Sequence, residues 1–430
     1  MQEALAILNR LADHGHKAYW VGGCVRDLYL GRPVTDVDIA TSARPEEVQA
    51  LFPGAPLVGA HFGVVRVGSV EVATFRSETG YGDGRHPDRV QFEVGPAEDA
   101  ARRDFTVNAL YRDRSGKVLD FFGGLQDLQA KVLRAIGNPA ARFQEDQLRL
   151  LRAVRLAARL GFTIEPATFA AIQQNAPRIH TVAAERIRDE LTRMLTEGQA
   201  RRAFELLDAT NLLAEVLPEL KACQGVEQPA EFHPEGDVWL HTLGLLERLQ
   251  EPTPTLAWAA LLHDTGKPGT STRTDRIRFH GHVERGVAIC RAIAHRLRFS
   301  NEDRDQIVAL VANHMRFADV PRMRESTLKR FLRLDHFEEH LELHRLDCLA
   351  SHGRLDTHEF LREMLRRLPP DEIRPTRLLT GRDLIALGWQ PGPHFRKVLD
   401  QVEDAILEGR VRTKAEALSL ALNIRPPAAE

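Results

Sequence analysis

Cysteine is scarce in this 430-residue chain: Cys24, Cys223, Cys290 and Cys348 lie far apart with no paired spacing. That excludes a disulfide framework and a zinc ribbon, and places the expected environment in a reducing cytoplasm. Long apolar runs are missing too. The longest near the middle, Leu256–Leu262, is far short of the roughly 18 residues a membrane span needs. The first residues, with Glu3 and Asp13, pattern as an amphipathic helix and not as a secretory signal. A charge excess of one sign is also absent. The net charge of −2 gives no global pull toward a polyanion. No internal repeat or low-complexity segment stands out.

What is present is unevenly placed. Between Arg142 and Arg159 stand five arginines against two carboxylates, and Arg186, Arg188, Arg193, Arg201 and Arg202 follow. A locally basic surface can bind a polyanion on a chain that is neutral overall, although a solvated helix face is the commoner outcome. Up to about residue 135, short β-rich runs such as KAYWVGG, DVDIAT, GVVRVGSVEVATFR and RVQFEV alternate with turns and helical patterns. Beyond Asn138-Pro139 helical periodicity takes over. Loop-like breaks fall near 222–237 and 369–380. The expected fold class is α+β. A small mixed β-sheet head spans 1–136, a helical neck 137–225, a histidine-rich helical body 226–368 and a helical tail 369–430.

The densest chemistry lies in YWVGGCVRDLYLGRPVTDVDIA, residues 19–40. Residues i and i+2 of a strand share a face, so Asp36 and Asp38 are expected to aim together. Two carboxylates so placed suit hard divalent cations such as Mg²⁺, and a two-metal site clamps both oxygens of a phosphoryl transfer. Gly22 and Gly23 would let backbone N–H groups approach phosphate, and Arg26 offers a forked charged donor. Glu71, in a strand-like run, is a third acid. A lone Asp-x-Asp is weak, since turns and caps produce it often. The order GG, VRD, DxD within 17 residues is far more specific.

Downstream, ARRDFTVNALYRD places Arg102, Arg103 and Asp104 before an expected buried helix, with Asn108 one turn inside it. Asp104 could equally be a helix cap. In RFQEDQLRLLRAVRLAARLGF, residues 142–162, a helical period gathers Arg149, Arg152, Arg155 and Arg159 on one side, with Asp146 near its edge.

These motifs, in this order over about residues 19–200, resemble those of the class II tRNA nucleotidyltransferases, the CCA-adding enzymes. That group includes bacterial poly(A) polymerases and belongs to the DNA polymerase beta-like nucleotidyltransferase superfamily. The resemblance implies Mg²⁺ on Asp36 and Asp38, with Glu71 as an additional acid. It implies triphosphate handling by Gly22, Gly23, Arg26 and Asp27, and a place near the nucleotide for Arg103, with Asp104 and Asn108. It also implies that Asp146, Arg149, Arg152 and Arg155 form the base-reading motif. Cys24 and Leu156 depart from the family's usual residues without touching a charged position.

The base-reading chemistry follows from hydrogen bonding. Cytosine and adenine each present an exocyclic amine beside a ring-nitrogen acceptor. A carboxylate accepts from the first and a guanidinium donates to the second. Uracil and guanine reverse that order, so Asp146 and Arg149 would reject them by leaving polar groups unpaired. Residues 77–88, SETGYGDGRHPD, form a loop-like segment. With Arg76 and Arg85 as its contacts, it resembles that of family members able to add the terminal A.

The second half carries WLHTLGLLERL, AALLHDTGKP, FHGHVERG, VANHM and HRLDCLASHG. His263-Asp264, His241 upstream and Asp347 downstream resemble the HD metal-dependent phosphohydrolase superfamily. His282 and His314 match its additional histidines, with His280 competing with His282. Imidazoles and carboxylates together suit a transition metal, or Mg²⁺ more weakly, and would generate a hydroxide able to attack a phosphoester. Most of the 18 histidines are expected to be structural, His14, His16, His295 and His340 among them. The tail is read as support for RNA or as plain packing.

The expected activity is thus addition of CCA, or of its terminal A, to tRNA from CTP and ATP. Two alternatives stand beside it, a poly(A) polymerase and an HD hydrolase with an RNA-binding head.

Overall fold

Strand-forming residues of the first 120 positions assemble a six-stranded mixed sheet and a separate hairpin. The chain is described here by a computed structural model covering residues 1–58, 63–80, 88–92, 94–273 and 276–424. The strands of these first positions are β1 (Ala18–Val21), β2 (Asp38–Thr41), β3 (Val64–Val67), β4 (Val70–Thr74), β5 (Arg76–Thr79), β6 (Arg89–Phe92), β7 (Leu110–Arg112) and β8 (Val118–Asp120). Six of them form a sheet in the order β3-β4-β2-β1-β7-β8, and β5 and β6 pair separately as a hairpin. Only β2 and β4 run parallel; the other neighbours are antiparallel.

Register decides which side chains meet. Arg66, Glu71, Asp38, Val21, Tyr111 and Leu119 are paired in turn across the six strands. Residues paired across a ladder point to the same face, so this row puts two acids and a tyrosine on one side. A buried cluster of Val21, Ala40, Phe75, Ala100, Ala109, Tyr111 and Ile136 fills the middle of the head. Trp20, one residue out of phase, turns the other way and donates to the Ala4 carbonyl of the first helix, Gln2–Asp13.

Contacts divide the chain into two compact units. One holds residues 1–222 with 249–251 and 295–299; the other holds the remainder. In the first unit, helix Leu148–Leu160 buries every residue but Arg149, Arg152 and Arg159 and ends at Gly161, whose φ of 73° is left-handed. It packs against helices Ala184–Thr196 and Ala200–Ala209.

In the second unit the apolar run becomes helix Pro254–Leu262, with every residue from Leu256 to Leu262 buried. A helix apolar all round needs partners on all sides. Helices Val238–Glu247, Asn301–Asn313 and Phe337–Ala350 supply them. A hairpin of Ser271–Arg273 and Ile277–Phe279 interrupts the helices. The last helices, Gly381–Ala386, Pro393–Leu407 and Lys414–Asn423, close over a separate core of Leu384, Val398, Val402 and Ala417. Among the described residues, no helix is long and apolar enough to cross a membrane.

His340 sits in this unit, 1% exposed, with neither ring nitrogen hydrogen-bonded. Burial pushes its pKa down to about 4, against the opposite pull of Glu339; Arg316 and His336 also lower it. The fold therefore holds it neutral, whereas the unfolded chain protonates it near pH 6.5. Its contribution is intact above pH 6.5 and is lost as pH falls toward 4. Denaturant titrations at pH 7.5 and 5.0 are expected to show about 2 kcal/mol less acid loss in His340→Phe than in the parent. Equal losses would remove His340 from the acid response.

Candidate active sites

The first site lies on the acid-bearing face of the head sheet. Asp38 opens β2 and stands in register with Glu71 of β4. Asp36 lies outside the strand, in the irregular segment that leads into β2, and accepts from the Thr35 hydroxyl at 3.2 Å. Only half of the expected strand pair is therefore on a strand. Glu71 is turned to its β3 neighbour, Arg66, at 2.9 Å. Asp36, Asp38 and Glu71 do not close to within 4.8 Å of one another, unlike the histidine–carboxylate groups of the second unit. The Asp38 carboxyl is nevertheless raised above the usual range. Partial burial does most of this, and the charges of Glu71 and Asp36 add to it against the pull of Arg103. A site that raises an acid by crowding it with acids favours a cation.

Gly22 has a φ of 77°, and a Cβ there would stand 3.1 Å from Nη1 of Arg103. The positive φ favours glycine there, and a side chain would also press on the Arg103 guanidinium. Its N–H donates to the Leu110 carbonyl and so is already engaged. Arg26 is 3% exposed, and its Nε and Nη2 each hold an Asp27 oxygen at 2.8 Å. Its Nη1 reaches the Asn108 side-chain oxygen at 2.6 Å. Arg26 is thus the buried centre of a brace, not an open fork.

Asn108 belongs to a short 3₁₀ turn, Thr106–Asn108, where a longer helix was expected; Leu110 already enters β7 and ends the turn. Its amide donates to Asp104 at 3.1 Å, and Asp104 takes Nε and Nη2 of Arg152 at 3.0 and 2.7 Å. Burial would raise the Asp104 carboxyl, but Arg152 outweighs it and holds the pKa at about 2. Asp104 also accepts from the Phe105 N–H, but the turn that follows is entered at Phe105 without a side-chain cap, so Asp104 is not the expected helix cap. One chain of polar contacts thereby ties Asp27 and Arg26 to the helix that begins at Leu148.

That helix commits its arginines to acids, with Glu190 shared by Arg152 and Arg155 and Glu197 by Arg155 and Arg159. Arg155, 3% exposed, pairs with Glu190 at 2.6 Å and Glu197 at 3.1 Å. Arg149 bonds Glu145 and the carbonyls of Arg142 and Arg102. Asp146 accepts the Leu148 N–H and pairs with Arg186 at 3.0 Å. Asp146 and Arg149 are therefore held by different partners and not by each other. Arg76 opens β5 and pairs with Glu78 at 2.6 Å; Arg85 lies outside the described residues.

Two residues unmarked by the sequence reading organise this site. Asp99, fully buried, accepts from Arg102, the Arg76 N–H and the Tyr111 hydroxyl, and lies 3.5 Å from Arg103. Burial alone would raise its carboxyl, but Arg102 and Arg103 hold it below the usual range. Tyr111 accepts from Nε of Arg103 at 3.0 Å and carries that guanidinium over its ring. The one local signal was the acid four residues before Arg103.

The second site gathers the histidines. His241 Nε2 lies 3.0 Å from Asp347, 3.3 Å from His263 Nε2 and 3.8 Å from Asp264. His263 lies 3.2 Å and His314 3.8 Å from Asp264. Three groups among the described residues can each hold a metal ion: His241 with His263 and Asp347, Asp264 with His282 and His314, and, beside them, His233 with Glu235 and His241. Nδ1 of His263, His282 and His314 bonds the carbonyl three residues earlier, at 3.0, 2.7 and 2.7 Å. Nε2 of His282 and of His314 is then buried without a partner. Orphaned lone pairs beside a carboxylate fit a divalent cation. His282 joins a ligand group and His280 is exposed on the cavity wall.

Gly266 explains how His282 arrives. A Cβ there would lie 2.0 Å from the His282 carbonyl oxygen, so only glycine lets this helix approach His263-Asp264. Asp264 also takes the buried Lys267 ammonium at 2.7 Å and is held well below the usual carboxylate range, chiefly by His263 and Lys267 against burial. Burial pushes His314 down to about 4, whereas Asp347 and Glu235 overcome burial and lift His241 to about 9. Above the cluster opens a cavity of about 720 Å³, lined among others by Phe232, Phe279, Met315, Arg276, Arg278 and Arg354.

A nucleotidyltransferase head, an RNA-binding neck and an HD domain define the class of protein. The family described as "Poly A polymerase head domain" matches residues 18–134. "Probable RNA and SrmB- binding site of polymerase A" matches 161–224, and "HD domain" matches 237–347. The chain is 34% identical to the CCA-adding enzyme of Geobacillus stearothermophilus over 423 residues, 97% of this chain and 95% of that protein. It is 33% identical to the CCA-adding enzyme of Streptococcus mutans over 431 residues, again 97% and 95%. The chain belongs to the CCA-adding enzyme family. The crystal structure of the Bacillus stearothermophilus CCA-adding enzyme in complex with CTP superposes with a TM-score of 0.76 at 31% identity, covering 98% of this chain and 97% of that one. The Thermotoga maritima CCA-adding enzyme complexed with tRNA shares the fold, with a TM-score of 0.60 at 20% identity over 98% and 94%.

Proposed function

We propose that this protein adds CCA, or its final A, to the 3′ ends of tRNA from CTP and ATP, with no nucleic-acid template. Family membership over nearly the whole chain gives the class. The observation that carries the reading is the register of Asp38 with Glu71 on the face that also bears the Arg103–Tyr111 pair. In the reaction the tRNA 3′-hydroxyl attacks the α-phosphate, a P–O bond forms, and pyrophosphate leaves. Asp36 and Asp38 would hold Mg²⁺, which when bound lowers the pKa of the attacking hydroxyl and neutralises phosphate charge. Arg103, fixed by Tyr111 and Asp99, donates to the nucleotide. Arg26, Asp27, Asn108, Asp104 and Arg152 brace the head against the helix that reads the base. On binding C or A, Asp146 and Arg149 exchange Arg186 and Glu145 for the base edge. The cytoplasm, where tRNA is matured, is the proposed compartment.

A second activity is favoured by the unpartnered Nε2 atoms of His282 and His314. We read the HD domain as a metal-dependent phosphohydrolase, its ions held by His241, His263, Asp264, His282, His314 and Asp347. A transition metal such as Mn²⁺ suits that donor set better than Mg²⁺.

The test of the main reading uses tRNA transcripts ending at the discriminator base, at C and at CC. Each is incubated with Mg²⁺, CTP and ATP, and products are resolved at single-nucleotide length. All three finishing at CCA and stopping there would establish complete CCA addition. A single A added only to the CC-ended transcript would make this the A-adding member of a pair. Extension past three nucleotides would overturn the reading in favour of a poly(A) polymerase.

A further inference from the structure

We propose that Glu235, which lies outside the His…His-Asp…Asp signature, is the positioning residue that makes His241 a metal ligand, with His233 as its second anchor. The inference rests on the reading of the second unit as a divalent-metal site.

His241 stands apart from the other histidines of the cluster. His263, His282 and His314 each set their rings by donating Nδ1–H to the carbonyl three residues earlier. That bond is local and comes with the backbone. Nδ1 of His241 instead meets a side chain: Glu235 Oε1 accepts from it at 2.7 Å and from Nδ1 of His233 at 2.9 Å. The two rings meet edge to face with centroids 4.9 Å apart. Glu235 precedes helix Val238–Glu247, which carries His241, and its second oxygen is buried without a partner. One carboxylate oxygen thus holds both rings.

The opposite nitrogen shows why this matters. Nε2 of His241 lies 3.0 Å from Asp347 and 3.3 Å from His263 Nε2, inside the ligand group. A ring with a carboxylate at each nitrogen can present a hydrogen to both. Ligation needs a lone pair on Nε2, so the hydrogen must stay on Nδ1. Glu235 supplies the acceptor that keeps it there. With Glu235 gone, Asp347 is the remaining acceptor and draws the hydrogen onto the atom that must bind the metal. Loss of such an outer partner weakens metal binding about 10–100-fold in general.

The test uses the full chain with Asp36→Asn and Asp38→Asn to silence the head, and Mn²⁺ alone as probe. Calorimetry gives Kd, and melting temperatures with and without Mn²⁺ separate binding from folding. Glu235→Ala is expected to bind Mn²⁺ about 10–100-fold more weakly than the parent, with its metal-free melting temperature little changed. Glu235→Gln, whose amide oxygen still accepts from Nδ1, falls between them, and His233→Ala changes Kd less than Glu235→Ala. A merely structural residue would lower the metal-free melting temperature and leave Kd alone. Parental Kd in folded Glu235→Ala overturns the proposal; should that variant not fold, a Glu235→Gln indistinguishable from the parent overturns it. If the parent shows no Mn²⁺ binding that His263→Ala abolishes, the metal-site reading itself fails and the proposal with it.

Discussion

Asp38→Ala is expected to lower nucleotide incorporation about a thousandfold or more, while tRNA binding stays within a few-fold of the parent. The size follows from position. Asp38 opens the parallel strand pair in register with Glu71, and its carboxyl is raised by burial and neighbouring acids, a condition that a bound cation relieves. Alanine removes the ligand and the reason for a cation to reside there. RNA affinity should survive, because contacts to phosphates are spread over many basic side chains. Glu71→Ala should cost much less, since that side chain is already satisfied by Arg66 at 2.9 Å. Single-turnover incorporation of CMP, with filter binding of the same tRNA, reads both quantities. Near-parental turnover in Asp38→Ala would remove this acid from the chemistry.

Asp146→Asn is expected to cut the preference for CTP over UTP about a hundredfold, with a smaller change in triphosphate affinity. A carboxylate only accepts, so it faces the uracil carbonyl oxygen with no hydrogen to share. An amide can turn its NH₂ toward that oxygen, which removes the Asp146 share of the penalty and leaves the clash of Arg149 with the uracil N3–H. The substitution keeps an acceptor for the Leu148 N–H, which Asp146 caps at 3.0 Å. Helix entry is thereby preserved, and selectivity is separated from folding. The ratio of kcat/KM values for the two nucleotides is the measurement. A variant still strict for C and A would place base selection elsewhere, with Arg149 and its partners.

Much of the site was legible because its chemistry is local. Gly22, Gly23, Arg26, Asp27, Asp36 and Asp38 fall within 17 residues, and residue type and spacing alone mark them. The signature His263-Asp264 is legible for the same reason. What those residues touch was not legible. Arg26 reads as a phosphate fork, yet its guanidinium is closed by Asp27 and Asn108, 82 positions on. Asp99 carried only a faint local mark, because a single acid before an arginine is common, and its role depends on Tyr111 arriving from β7. Glu235 and His233 were passed over because their partner, His241, becomes a neighbour only when the helix beginning at Val238 forms.

The sequence by itself determined the division of labour. An acid–glycine–arginine head is followed by a basic helical neck and a histidine-rich helical body, because motif spacing and hydrophobic period are properties of neighbouring residues. Tertiary structure alone decided which charges are open and which are spent. Strand register aligned Asp38 with Glu71 and gave Glu71 to Arg66. Helix packing gave Arg155 to Glu190 and Glu197, and the close approach allowed by Gly266 brought His282 to Asp264. The physical reason is that a buried charge must find a partner or be neutralised. That partner is chosen by which elements come together in space, over separations that local sequence does not encode.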